Sequence, residues 1–192
     1  MASYSTSDFK GGLKIMQDGE PCSILENEMV KPGKGQAFNR VKIRKLISGK
    51  VVEKTFKSGE SVEAADVQEI DLAYLYSDGE FWHFMNNETF EQIALAEEMI
   101  DSPQFLMDGS EIFVFINTET ELPIGAELPE KIVLKITYCE PGLRGDTATR
   151  ALKAATVETG ATVMVPLFVE DGELIRVNTK DGSYVERVKE EK

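Results

Sequence analysis

Lys34 stands alone between two glycines in the run Lys31-Pro32-Gly33-Lys34-Gly35-Gln36-Ala37-Phe38. Pro32 locks its own φ, and Gly33 and Gly35 permit a tight, Cβ-free turn on either side of one lysine. The residues predict a hairpin tip that presents Lys34 outward, ahead of a strand beginning at Arg40. Taken alone, such a lysine is a turn residue as readily as a site. The run does not make a phosphate-binding loop, because Gly35 stands where a Ser or Thr would hold magnesium and no earlier Gly has the required spacing.

Other chemistry is scarce. A single histidine, His83, cannot supply a metal cluster or a nucleophile–base pair with an orienting group, and beside Phe81, Trp82 and Phe84 it reads as a strand residue. Those three aromatics could stack bases, but packing is the better reading in a segment without cations. Cys22 and Cys139 lie far apart with no CxxC, so they read as buried thiols. No catalytic residue, metal ligand or bound cofactor is expected. Asn87-Glu88-Thr89 matches a glycosylation sequon only by coincidence, since no signal peptide precedes it. No apolar run approaches the roughly 18–20 residues needed to cross a bilayer, so a cytoplasmic protein with no membrane contact is expected.

Charge divides the 192 residues into thirds. Residues 1–64 carry 11 basic and 8 acidic side chains, residues 65–128 none and 15, and residues 129–192 carry 10 and 11. Between positions 30 and 57, nine bases, including Arg40, Lys42 and Arg44, face only Glu53. That block predicts contact with a polyanion, while the cation-free middle would be repelled by one and serves as an acidic spacer.

The elements that must position these residues are short strands. Alternating or β-branched runs at Val41–Arg44, Val51–Phe56, Leu72–Tyr76, Phe81–Met85, Ile132–Tyr138 and Thr162–Val169 are punctuated by turn pairs such as Asp18-Gly19, Asp78-Gly79 and Asp181-Gly182. Thr89–Met99 alone reads as a helix, with Asn87 or Thr89 as N-cap and Ser102-Pro103 as its stop. The expectation is an all-β chain of three small barrels in a row, with domains 1–64, 65–128 and 129–192. The second seam falls around Leu122-Pro123-Ile124-Gly125 and Pro129, where two prolines should interrupt pairing. Barrels this small should pack on one another to form a rigid body.

Several long runs, in order, resemble bacterial elongation factor P, a family related to initiation factor five-A. They are Lys31–Phe38, Val52–Ser58, Tyr74–Glu91, Pro141-Gly142-Leu143-Arg144-Gly145-Asp146-Thr147 and Val165–Val169. The resemblance implies an SH3-like (KOW-type) domain followed by two OB-fold domains. It implies a monomeric, non-enzymatic translation factor that binds both ribosomal subunits between the P and E sites and relieves stalling at consecutive prolines.

By the same resemblance, Lys34 carries a β-lysyl group, commonly hydroxylated. A lysyl-tRNA-synthetase-like enzyme, with an aminomutase and a hydroxylase, attaches and completes it. Lys31, Pro32, Gly33, Gly35 and Gln36 form the modified loop. Arg40, Lys42 and Arg44 would meet peptidyl-tRNA or rRNA, Gly145, Asp146 and Thr147 the E-site mRNA, and Tyr184 and Arg187 the small subunit. After Thr147, Ala148-Thr149-Arg150 replaces a glycine-rich stretch of many relatives. A general RNA-binding OB-fold protein is the alternative that the basic block would also serve.

Overall fold

The computed structural model describes residues 2–142 and 151–189. The chain is all-β, with three 3₁₀ turns and no α-helix among the described residues. In the N-terminal third, β1 (Ser3–Ser5), β2 (Lys14–Gln17), β3 (Glu20–Val30), β4 (Phe38–Lys45), β5 (Val51–Lys57) and β6 (Ser61–Glu63) form a four-stranded meander, β2-β3-β4-β5, and a small β1-β6 pair. Alternation along β4 explains the packing: Asn39, Val41 and Ile43 point inward, while Arg40 and Lys42 face water. Ile15, Cys22, Ile24, Val41 and Ile43 fill the interior, closed by an edge-to-face contact of Phe9 and Phe56 at 5.3 Å.

The central third contains β7 (Val67–Ser77), β8 (Phe81–Met85), β9 (Gln92–Ala96), β10 (Ile100–Asp101), β11 (Glu111–Asn117) and β12 (Pro123–Glu127), ordered β10-β12-β11-β7-β8-β9. The helix expected over Thr89–Met99 does not form. Gln92–Ala96 pairs with β8 instead, Met85 opposite Gln92 and Phe81 opposite Ala96, and only Glu97–Met99 winds into a 3₁₀ turn. The neighbouring strand supplies backbone partners and a pocket for Leu95, which outweighs a weak local helix preference. Asn86, rather than Asn87 or Thr89, organises the preceding turn, its Oδ1 accepting from the N–H groups of Glu88 and Thr89. Pro123 does not interrupt pairing either. It opens β12 opposite Ile116, at a register shift, where its missing N–H removes little from the ladder. Pro129 stands between β12 and the next strand.

The last third contains β13 (Lys131–Cys139), β14 (Leu152–Val157), β15 (Thr162–Pro166), β16 (Leu174–Asn178) and β17 (Tyr184–Val188), ordered β15-β14-β13-β16-β17. Its interior is continuous with the central one through Phe105, Leu106, Leu128 and Leu134.

The N-terminal domain docks differently. Leu46, just past β4, is fully buried against Phe115 and Ile124. Gly125 lies so close that a Cβ there would be 3.2 Å from that of Leu46. At the same boundary Gly49 has φ +69°, and a Cβ would fall 2.7 Å from the Glu98 carbonyl oxygen. The junction thus requires glycine at position 49. Cys22 and Cys139 are free and buried, as expected.

Candidate functional site

β3 and β4 pair from Cys22–Lys45 out to Val30–Phe38, forming a hairpin arm whose tip is residues 31–37. A partly buried amide relay stiffens the arm: Asn39 Nδ2 donates to Asn27 Oδ1 at 2.9 Å, and Asn27 Nδ2 to the Phe9 carbonyl at 3.0 Å. Inward-facing asparagines on an otherwise apolar row were the sequence signal for it. Lys31, Pro32, Gly33, Lys34, Gly35 and Gln36 are all exposed. Gly35 has φ +119°, a conformation that L side chains rarely adopt, whereas Gly33 does not occupy the left-handed region and has open space at its Cβ position. The two glycines are therefore not equivalent.

The basic block looks different once folded. Register brings acids from residues 18–28, outside the window 30–57, beside its bases. Arg40 lies 3.4 Å from Glu28 and 3.7 Å from Glu53, Lys42 4.0 Å from Glu26, Lys45 2.7 Å from Glu20, and Lys54 2.9 Å from Asp18. Exposed pairs of this kind are worth at most about 1 kcal/mol, but they cancel local charge.

Arg44 departs from the expectation of an RNA-facing role. It is buried: Nη2 donates to the Glu98 carbonyl at 3.1 Å and Nε lies 3.8 Å from Asp101. Strand alternation does place it on the face of Arg40 and Lys42, but the central domain covers that end. Lys31, Lys34, Lys50 and Lys57 form no ion pair among the described residues. Lys57 sits opposite Phe38, at the base of the tip, so three of these four lysines gather at the free end of the arm.

Tyr184 and Arg187 occupy the edge strand β17, but they are not presented together. Tyr184 packs on the core, whereas Arg187 is exposed, 3.1 Å from Glu173 and over the ring of Phe168 at 4.8 Å. Gly145, Asp146 and Thr147 lie outside the described residues. Phe84 is fully buried and Trp82 packs against the core, while Phe81 is partly exposed. His83 stacks on Tyr76 at 4.6 Å and its Nε2 lies 2.7 Å from Asp78. The Phe81 N–H, the His83 ring and the Glu80 N–H together hold the Asp78 carboxyl down to about 2. Among the described residues no three His, Cys, Asp or Glu side chains cluster as metal ligands, and no helix is long and apolar enough to cross a membrane.

One charged cluster had no recognisable sequence signal. Glu127, on β12, accepts from Lys14 Nζ through one oxygen and pairs with Lys180 through the other, both at 3.2 Å. Burial raises the Glu127 carboxyl's pKa, but the two ammonium groups more than offset this and leave it below its ordinary value. Burial lowers that of Lys14 by more than Glu127 restores, and the neighbouring Lys180 ammonium adds to the lowering.

Three domain families match the chain in order: the elongation factor P KOW-like domain over residues 5–62, the elongation factor P OB domain over 67–124, and the elongation factor P C-terminal domain over 132–187. Among solved structures, the chain is similar to eukaryotic translation initiation factor 5A from Methanococcus jannaschii (23% identity, TM-score 0.45, covering 65% of this chain and 88% of that one). It is also similar to a translation initiation factor 5A family protein from Naegleria fowleri (16% identity, TM-score 0.39, covering 66% and 98%). The sheets described above are accordingly a KOW-like domain followed by two OB-type domains. The family is one of translation factors that act on the ribosome, not of enzymes, and this chain belongs to the elongation factor P family.

Proposed function

We propose that this protein binds the ribosome between the P and E sites and relieves stalling at consecutive prolines by positioning peptidyl-tRNA with a modified Lys34. The observation that carries this is the arm itself: a stiff hairpin, charge-neutralised along its body, whose exposed tip concentrates lysines without an acidic partner. Proline is a poor acceptor because its nitrogen is secondary and its ring restricts φ. A factor without acid, base or metal can still speed the step by holding the reactants in a near-attack arrangement, since orientation is worth several kcal/mol.

Lys34, lengthened by a β-lysyl group, commonly hydroxylated, places an ammonium against the backbone of the terminal nucleotides of the tRNA. Its charge orders the acceptor end and takes no part in bond making. A lysyl-tRNA-synthetase-like enzyme, with its aminomutase and hydroxylase, supplies the group in the cytoplasm. Lys31 and Lys57 add phosphate contacts beside it, with Arg40 and Lys42 in a secondary role. Gly145, Asp146 and Thr147 approach E-site mRNA, and Arg187 the small subunit.

Two measurements test the reading. Intact mass and peptide mapping of the protein from its own cells should find added mass at Lys34. In toeprinting on a triple-proline message, Lys34→Ala should abolish relief while thermal stability stays within about 0.5 kcal/mol of wild type, as for an exposed loop residue. Full relief by Lys34→Ala would overturn the assignment and leave general RNA binding as the better description.

A further inference from the structure

We propose that Glu127 is a clamp that sets the orientation of the N-terminal hairpin arm relative to the C-terminal domain, and so positions Lys34. Its two carboxylate oxygens serve different domains, one facing Lys14 of the N-terminal barrel and the other Lys180 of the C-terminal one. Lys14 has no donor to spare: Nζ also donates to the Gly12 carbonyl at 3.0 Å and to Ser23 Oγ at 3.1 Å, and sits 4.2 Å above the Phe115 ring. Lys180 reaches on to Asp101 at 3.3 Å, and Asp101 lies 3.8 Å from Arg44. The chain Lys14–Glu127–Lys180–Asp101–Arg44 therefore begins and ends in the N-terminal domain and passes through both of the others.

The other boundaries are held differently. Leu46 packs the N-terminal domain onto the central one, and the central and C-terminal cores are continuous. Between the two end domains lies instead an open cleft of about 640 Å³, flanked by Gly11, Gly12, Lys42, Glu130 and Asn178. No strand of one end domain packs broadly on a strand of the other among the described residues. Apolar packing thus holds each end domain to the central one, and the Glu127 bridge adds a charged tie between the two ends beside this cleft; a carboxylate is the side chain whose two equivalent oxygens can bridge two ammonium groups. The lever is long. Cys22 and Val30 are eight residues apart along β3, about 26 Å at strand rise, so a tilt of about 10° at the root moves the tip by roughly 5 Å. A displacement of that size is enough to forfeit an orientational effect.

The functional half of this inference rests on the translation-factor reading, but the geometric half does not. Spin labels at Thr55→Cys and Thr162→Cys, both exposed positions, report the separation of the end domains, the native thiols being buried. The otherwise unaltered protein should give one narrow distance distribution. Glu127→Gln and Lys180→Met should broaden or shift it, and Lys180→Arg, which keeps the cation, should restore it.

In toeprinting, the two disruptive variants should reach full relief of stalling only at several-fold higher concentration, because Lys34 is intact but a smaller fraction of molecules is competent. Unchanged distributions in both would overturn the clamp. Broadened distributions with an unchanged concentration dependence would overturn the positioning role. Should Glu127→Gln fail to fold, Lys180→Met, which alters a partly exposed side chain, still decides. If the wild-type protein relieves no stalling, the translation reading falls while the distances still judge the clamp.

Discussion

Leu46→Ala should undock the N-terminal barrel without unfolding it. Leu46 is fully buried between Phe115 and Ile124 and forms a small core with them, separate from the Ile15–Ile24–Val41–Ile43–Phe56 interior. Removing three carbons forfeits about 2.4 kcal/mol of transfer free energy at about 0.8 kcal/mol per methylene. A residual cavity would add to that, and leucine-to-alanine changes in single-domain cores cost about 2–5 kcal/mol. Here the two walls belong to different domains and can shift together, so the lower end applies, about 2–3 kcal/mol. Docking should weaken by roughly 30- to 150-fold, at about 1.4 kcal/mol per decade. Hydrogen exchange resolved by peptide provides the assay. Protection should fall at the junction, in 44–50 and 112–127, while β2 and the inner part of β4 keep theirs. Equal loss across the whole N-terminal barrel, or no change at the junction, would refute the idea that the small core acts independently.

Gly35→Val should abolish modification of Lys34 and stalling relief, whereas Gly33→Val should largely retain both, because only Gly35 has φ in the left-handed region, where a β-branched residue is strained by about 1–3 kcal/mol. Intact mass and toeprinting compare them, and identical behaviour would count against a shaped tip. Filter binding to ribosomes over a salt series should show Lys31→Gln and Lys57→Gln each reducing the log–log slope by roughly 0.7–0.9, whereas Arg44→Gln should leave the slope alone and lower the melting temperature. The Asp78 turn supplies a pH signature: with its carboxyl held at about 2, its stabilising effect is complete above the ordinary aspartate value and is lost as pH falls through about 2. NMR titration should find its midpoint there, and a midpoint near 4 would show that the hydrogen bonds from Phe81, His83 and Glu80 do not hold in solution.

Local chemistry made much of this protein legible before any coordinates. Strand alternation at Val41–Arg44 and the Asp-Gly turns report φ preferences and side-chain direction, which adjacent residues decide among themselves. The glycine-flanked Lys34 and the run of motifs around it pointed to the family for the same reason: they are contiguous. Four features needed the tertiary structure. Gln92–Ala96 is a strand because β8 lies beside it, a partner that no window of local propensity contains. Arg40 and Lys42 have Glu26, Glu28 and Glu53 beside them across the sheet, which offset their positive field, and pairing register is set by the whole hairpin rather than by the block of bases. Arg44 shares their strand face yet is covered by Glu98 and Asp101 of another domain. Glu127, one acid among many in a segment without cations, meets Lys14 and Lys180 only when three domains converge. A Coulomb interaction depends on distance in space, and the distance along the chain from residue 14 to residue 180 carries no trace of it.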